Sequence, residues 1–78
     1  MFIVIFENSW GQRREIGSAP IISGAYTIIS DFLKKYNYKS YYWNISEVEP
    51  GLTRVDVGSW SEFFYIKYIL EEERRNYA

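Results

Sequence analysis

Gly58-Ser59-Trp60-Ser61-Glu62-Phe63-Phe64-Tyr65-Ile66-Lys67-Tyr68-Ile69 is the stretch that decides the fold, because it supports two readings. Ser59 and Glu62 have the S-x-x-E spacing of a helix capping box, and Phe63, Ile66, Leu70 and Tyr77 recur at helical intervals. Against a helix, residues 63–69 are dense in aromatic and β-branched side chains, which pack well on a pleated surface. We read them as the fifth strand of a sheet, with a short helix confined to Leu70–Asn76. Within that helix Glu71 lies three and four residues before Arg74 and Arg75, a spacing that permits ion pairs on a solvated face.

Working back from that stretch, Pro50-Gly51 is strong turn punctuation between two runs of alternating residues. On the far side, residues 40–48 place Tyr41, Trp43 and Ile45 on one face and Tyr42, Asn44 and Ser46 on the other. On the near side, residues 53–57 turn Val55 and Val57 inward and Arg54 and Asp56 outward. The two runs form a hairpin, and Tyr42 and Arg54 share its outer face, where a cation–π contact is expected.

The longest periodic segment comes earlier. Ala25, Ile28, Ile29, Phe32, Leu33 and Tyr36 follow helical spacing, while Ser30, Asp31, Lys34 and Lys35 fill the other side. This predicts an amphipathic helix over residues 24–36, capped by Ser23 and ended by Asn37 in a left-handed conformation. Before it, the apolar run Phe2–Asn8 reads as a strand buried on both sides. Ser9-Trp10-Gly11 is a turn with Trp10 at its tip, and residues 12–17 are the returning polar strand.

The predicted architecture is α+β: one domain over residues 1–78, with an antiparallel sheet of four to five strands built on two hairpins. One amphipathic helix covers one face of it, a short C-terminal helix follows, and the other sheet face is partly open around Tyr42.

Within this frame, Val55-Asp56-Val57-Gly58-Ser59-Trp60-Ser61-Glu62-Phe63-Phe64-Tyr65-Ile66 resembles an Asp-x-Gly-Ser-x-x-x-Phe-Phe pattern of small early or accessory proteins from phages of Gram-positive bacteria. In those proteins a Tyr-Tyr/Trp strand commonly precedes the pattern, as Tyr41-Tyr42-Trp43 does here, and a short helix precedes that strand. Trp60 stands where the pattern more often has His. The resemblance bears on the strand reading of residues 63–69, and it implies a phage or prophage origin. Such proteins often bind and disable a host protein, including antiviral components such as CRISPR nucleases. No catalytic residue is implied. The same motif has a structural reading, in which Gly58 permits a bend, Ser59 bonds local backbone, and Phe63 and Phe64 fill the core.

Composition narrows the function classes. Sixteen of 78 residues are aromatic, since Trp, Tyr and Phe number 3, 8 and 5, and there is neither Cys nor His. A domain this small buries only roughly 60% of the surface its unfolded chain exposes, so some rings must lie outside. Exposed Tyr and Trp provide large contact area at little rotamer cost and are enriched at interfaces. Without Cys or His there is no thiolate metal site, no disulfide framework and no imidazole base. Dispersed single glycines provide no phosphate loop, and Glu47, Glu49, Asp56 and Glu62 fall at solvated hairpin positions. We therefore expect a non-enzyme without cofactor or metal.

Charge is uneven. Residues 1–46 carry Arg13, Arg14, Lys34, Lys35 and Lys39 against Glu7, Glu15 and Asp31. Residues 47–73 carry seven acids against Arg54 and Lys67. An acidic half disfavours nucleic-acid binding and suits a partner protein with a basic surface, such as a nucleic-acid channel. The expected contact residues are Trp10, Tyr42, Trp60, Tyr65 and Tyr68, with Glu47, Glu49, Asp56 and Glu62 steering encounter.

Two other readings stand beside this one. Lys34, Lys35 and Lys39 around Tyr41-Tyr42-Trp43 would suit single-stranded nucleic acid stacked on an aromatic sheet face; alternatively, rings at an oligomer interface would suit a nucleotide signal. The amphipathic end, residues 68–77, would support a homodimer. The apolar run Phe2–Phe6 is too short for a signal peptide or membrane span, so a cytoplasmic location is expected, that of the host cell for a phage protein.

Overall fold

In the computed structural model, which describes residues 1–70, the chain alternates as two strands, one helix and three strands. These are β1 (Phe2–Glu7), β2 (Arg13–Ala19), α1 (Ile22–Lys35), β3 (Asn44–Glu49), β4 (Leu52–Asp56) and β5 (Phe63–Tyr68). The strands form one antiparallel sheet in the order β2-β1-β5-β4-β3. The apolar β1 and aromatic β5 lie at its centre, where both faces need covering, and the more polar β2 and β3 lie at its edges. The α+β class, the five-stranded antiparallel sheet and the single helix agree with the sequence reading. The expected C-terminal helix falls almost wholly outside the described residues, and Leu70, the one described member, is not helical.

α1 rests on β2 and β1 through Ala25, Ile29, Phe32 and Leu33, all buried. Facing them are Val4 and Phe6 of β1, Phe64 and Ile66 of β5, and Val55 of β4. The helix begins at Ile22, earlier than the sequence predicts, and Ser23 does not cap it. The capping position is Ile21, which has no side-chain bond to the helix start. Ser23 instead sits inside the first turn, where its carbonyl accepts from Thr27 Oγ1 at 3.1 Å. Gly24 allows this early start, since a Cβ there would lie 2.8 Å from the Ala19 Cβ, so only glycine lets the first turn close down on the end of β2. At the far end Asn37 adopts φ 56°, the left-handed conformation expected of it, and Tyr38 N–H bonds back to the Leu33 carbonyl.

Three expectations are corrected. Tyr41, Tyr42 and Trp43 lie outside β3: Tyr41 N–H bonds to the Val57 carbonyl at 3.2 Å, and Trp43 packs edge-on against Tyr26 of the helix at 6.1 Å. These tertiary contacts win over an alternation that only mimics a strand. All six residues of β3 are exposed, Ile45 included, because the helix covers the opposite side of the sheet. Finally, Arg54 stacks on Phe63, 4.5 Å from its ring centre, and not on Tyr42.

The second sheet face is less open than expected. Ile3 and Tyr65 on it are buried, and the Arg13 guanidinium lies 4.3 Å above the Tyr65 ring while bonding Glu7 at 2.7 Å. Tyr42 lies outside the strands, in the segment that enters β3.

Candidate functional site

The register places three connections at one end of the sheet. Glu7 pairs with both Arg13 and Phe63, and Asn44 pairs with Asp56. The β1–β2 turn, the β4–β5 loop and the segment entering β3 therefore share that end. α1 starts beside Ala19, which pairs with Phe2 at the other end, and runs back over about 21 Å. It delivers Tyr36 and the following residues to the same place, where Tyr38 lies within 6.1 Å of Phe6, ring to ring.

The result is a gathering of exposed rings. Trp10 is 86% exposed and Trp60 99%, and Tyr36, Tyr38, Tyr41 and Tyr42 are also exposed. No local sequence pattern joins these six; the topology does. Among the described residues the one aromatic exposed elsewhere is Tyr68, which pairs with Phe2 at the opposite end.

The loops at this end are held by specific bonds. Ser59 Oγ donates to Glu62 Oε1 at 3.1 Å and accepts from Glu62 N–H at 3.3 Å. The second of these is half of a capping box, but the Glu62 carboxylate returns to the Ser59 hydroxyl and not to its backbone N–H, and the pair closes a loop before a strand. Asp56 Oδ1 accepts from Gly58 N–H at 2.9 Å, and Gly58 takes φ 94°. Gly58 also lies against Tyr41, and a Cβ in its place would be 3.3 Å from the Tyr41 Cβ. The structural reading of the Asp-x-Gly-Ser motif fits Gly58, which makes a turn, Ser59, which makes a local bond, and Phe64, which is core, but not Phe63, which is half-buried under Arg54 and outside the core.

Tyr38 links the helix exit to the β4–β5 loop. Its hydroxyl hydrogen-bonds Glu62, and this bond, with partial burial and the nearby Glu62 charge, holds the phenol pKa above the ordinary tyrosine value. At the β1–β2 turn Asn8 Oδ1 accepts from the N–H groups of Trp10 and Gln12 at 2.9 and 3.0 Å, fixing the loop that presents Trp10.

Of the residues expected at a contact surface, Trp10, Tyr42, Trp60, Asp56 and Glu62 come together at this end. Tyr65 does not; it is only 6% exposed, covered by Arg13 in the middle of the sheet. Tyr68 and Glu49 lie toward the opposite end, and Glu47 lies along the exposed edge strand β3. Tyr36 and Tyr38 join the site without having been singled out, and Tyr41 was expected only in the strand face of the nucleic-acid reading. The signal for the first two was available, since a helix ending at Asn37 places both flanking tyrosines at its exit.

No family model, curated protein or solved structure matches the chain. The site must be interpreted from its own chemistry. It is a set of exposed rings on the connections at one end of the sheet, and among the described residues no polar side chain is fully buried. The described residues also contain no group of three His, Cys, Asp or Glu placed to hold a metal ion, and no helix long and apolar enough to cross a membrane. An open groove of about 440 Å³ between α1 and β2 has Ile16, Ile28 and Phe32 in its lining and Arg14, Asp31 and Lys35 beside them. It borders the aromatic end at Tyr36.

Proposed function

We propose that this protein is a non-catalytic binding module that blocks a host protein sterically, gripping it with the aromatic end. The observation that carries this reading is the convergence of Trp10, Tyr36, Tyr38, Tyr41, Tyr42 and Trp60 at one pole of a fold whose core is complete without Trp10 and Trp60. Rings held on bonded loops lose little freedom on binding, and buried Trp or Tyr anchors contribute about 2 kcal/mol or more each at the centre of an interface. The motif at Asp56–Phe64 adds a phage origin, an intracellular site of action in the host, and antiviral nucleases as one class of target. Self-association, if present, would use the opposite pole at Tyr68 and Leu70 and leave the rings free; light scattering at two concentrations reads it.

The test is affinity isolation of the tagged chain from host lysate, run beside a Trp10→Ala/Tyr41→Ala/Trp60→Ala variant. The wild type recovers a defined partner, and the variant loses it while melting at nearly the same temperature. Equal recovery by both chains, or no partner at low salt and high loading, refutes the proposal.

A further inference from the structure

Asp56 and Glu62 stand at the two ends of the loop that carries Trp60, and they differ from Glu47 and Glu49, which are exposed on β3. Both are half-buried and bent back on the loop. Asp56 Oδ1 accepts from the Gly58 N–H at 2.9 Å, and Glu62 meets the Ser59 hydroxyl twice, accepting from it at Oε1 and donating to it from its N–H. The loop so fixed is joined to a separate stretch of chain. Tyr41 N–H donates to the Val57 carbonyl at 3.2 Å, and Gly58 packs on the Tyr41 side chain, with the Glu62–Tyr38 bond beside them. Trp60 itself is 99% exposed and has no packing to hold it, so its direction comes from this loop.

We infer that Asp56 and Glu62 are positioning residues: their bonds hold Trp60 in a set relation to Tyr41, so that rings from two separate stretches of chain meet a partner as one preformed surface. This role rests on the protein-binding reading above and changes what the two acids do within it. Steering an encounter uses the charge of a carboxylate, which their neutral donors leave in place, whereas positioning uses its oxygens as acceptors. The two are separable. Asn and Gln keep an acceptor oxygen and lose the charge, while Ala loses both. Anchors ordered before contact lose less freedom on binding, so it is loss of the acceptors, not of the charges, that weakens the complex.

The experiment compares the full wild-type chain with Asp56→Asn/Glu62→Gln and with Asp56→Ala/Glu62→Ala, and uses the single Asp56→Ala and Glu62→Ala chains should the double alanine variant not fold. By NMR without a partner, alanine should speed exchange of the Tyr41 amide by about tenfold and lower the heteronuclear NOE of Trp60, while Val4 and Ile29 stay as in the wild type. The Asn/Gln chain should stay within about twofold of the wild type. In affinity isolation from host lysate, the Asn/Gln chain should recover partner as the wild type does, and the alanine chain about tenfold less. Three results overturn the inference: unchanged Tyr41 and Trp60 signals in the alanine chains; equal loss of partner in the Asn/Gln and alanine chains, which assigns the acids to steering; or full recovery by an alanine chain whose loop has loosened. A wild type that recovers no partner sinks the protein-binding reading and the positioning role together, whereas the NMR arm fails only if the acids do not hold the loop.

Discussion

Phe64 and Trp60 are four residues apart and face opposite fates. Phe64 is 1% exposed, ringed by Phe6 at 5.3 Å and Phe32 at 5.5 Å, while Trp60 is 99% exposed on the loop just before it. The difference teaches that aromatic content is divided by topology into two jobs. Rings on the inner faces of β1, β5 and α1 hold the fold, and rings on the connections at one pole are available to a partner. Neither the residue type nor the local sequence distinguishes them; their place on a strand or on a loop does.

The largest expected effect breaks the comparison on the core side. Phe64→Ala should cost about 3–5 kcal/mol, enough to unfold much of a domain this small, read as loss of the cooperative thermal transition. Trp60→Ala, by contrast, should change stability by less than about 0.5 kcal/mol. A comparable loss in both would dissolve the distinction between the regions.

Next in size is the joint that shapes the binding pole. Gly58→Ala forces a Cβ into φ 94° and against Tyr41, a cost of about 1–3 kcal/mol in urea denaturation. It should also move the Tyr41 and Trp60 NMR signals more than those of Val4 or Ile29. An unchanged Tyr41 environment would show that the two loops are not coupled.

A smaller effect tests the Tyr38–Glu62 bond. Because the folded pKa of Tyr38 is raised, its contribution is fully present below the unfolded tyrosine value of about 10 and is lost as pH rises through the folded value. Tyr38→Phe should lower stability at neutral pH and flatten its decline on the alkaline side, both read from melts across pH. A decline as steep as in the wild type would place the alkaline sensitivity elsewhere. The last expected loss is that of Arg13→Ala, which removes a half-exposed ion pair with Glu7 and a cation–π contact with Tyr65, at about 0.5–1 kcal/mol.

Much of the fold was legible because local signals agreed with packing. The apolar run of β1, the helical spacing from Ala25 to Tyr36, the Pro50-Gly51 turn and the aromatic, β-branched run of β5 each mapped onto the element they predicted. Legibility failed where a tertiary contact overrode a local pattern. Tyr41-Tyr42-Trp43 alternates like a strand, yet Trp43 gains more from Tyr26 than from extending the sheet edge. Ser59 and Glu62 spell a helix cap, yet their bonds close a loop. Tyr65 looked surplus to the core because Arg13, distant in sequence, is what covers it. The candidate site was half legible: Trp10, Tyr42 and Trp60 were singled out one by one. Their convergence with Tyr36, Tyr38 and Tyr41 depends on strand order and helix direction, which no local stretch encodes.

The most direct test of this division is acrylamide quenching of tryptophan fluorescence in the dilute monomer, using three forms that each retain Trp10, Trp43 or Trp60 alone, the others replaced by Phe. Trp10 and Trp60 should quench nearly as freely as a free indole, and Trp43, half-buried against Tyr26, should quench distinctly less. Shielding of Trp10 and Trp60 equal to that of Trp43 would contradict the account, because the pole proposed to meet a partner would already be covered.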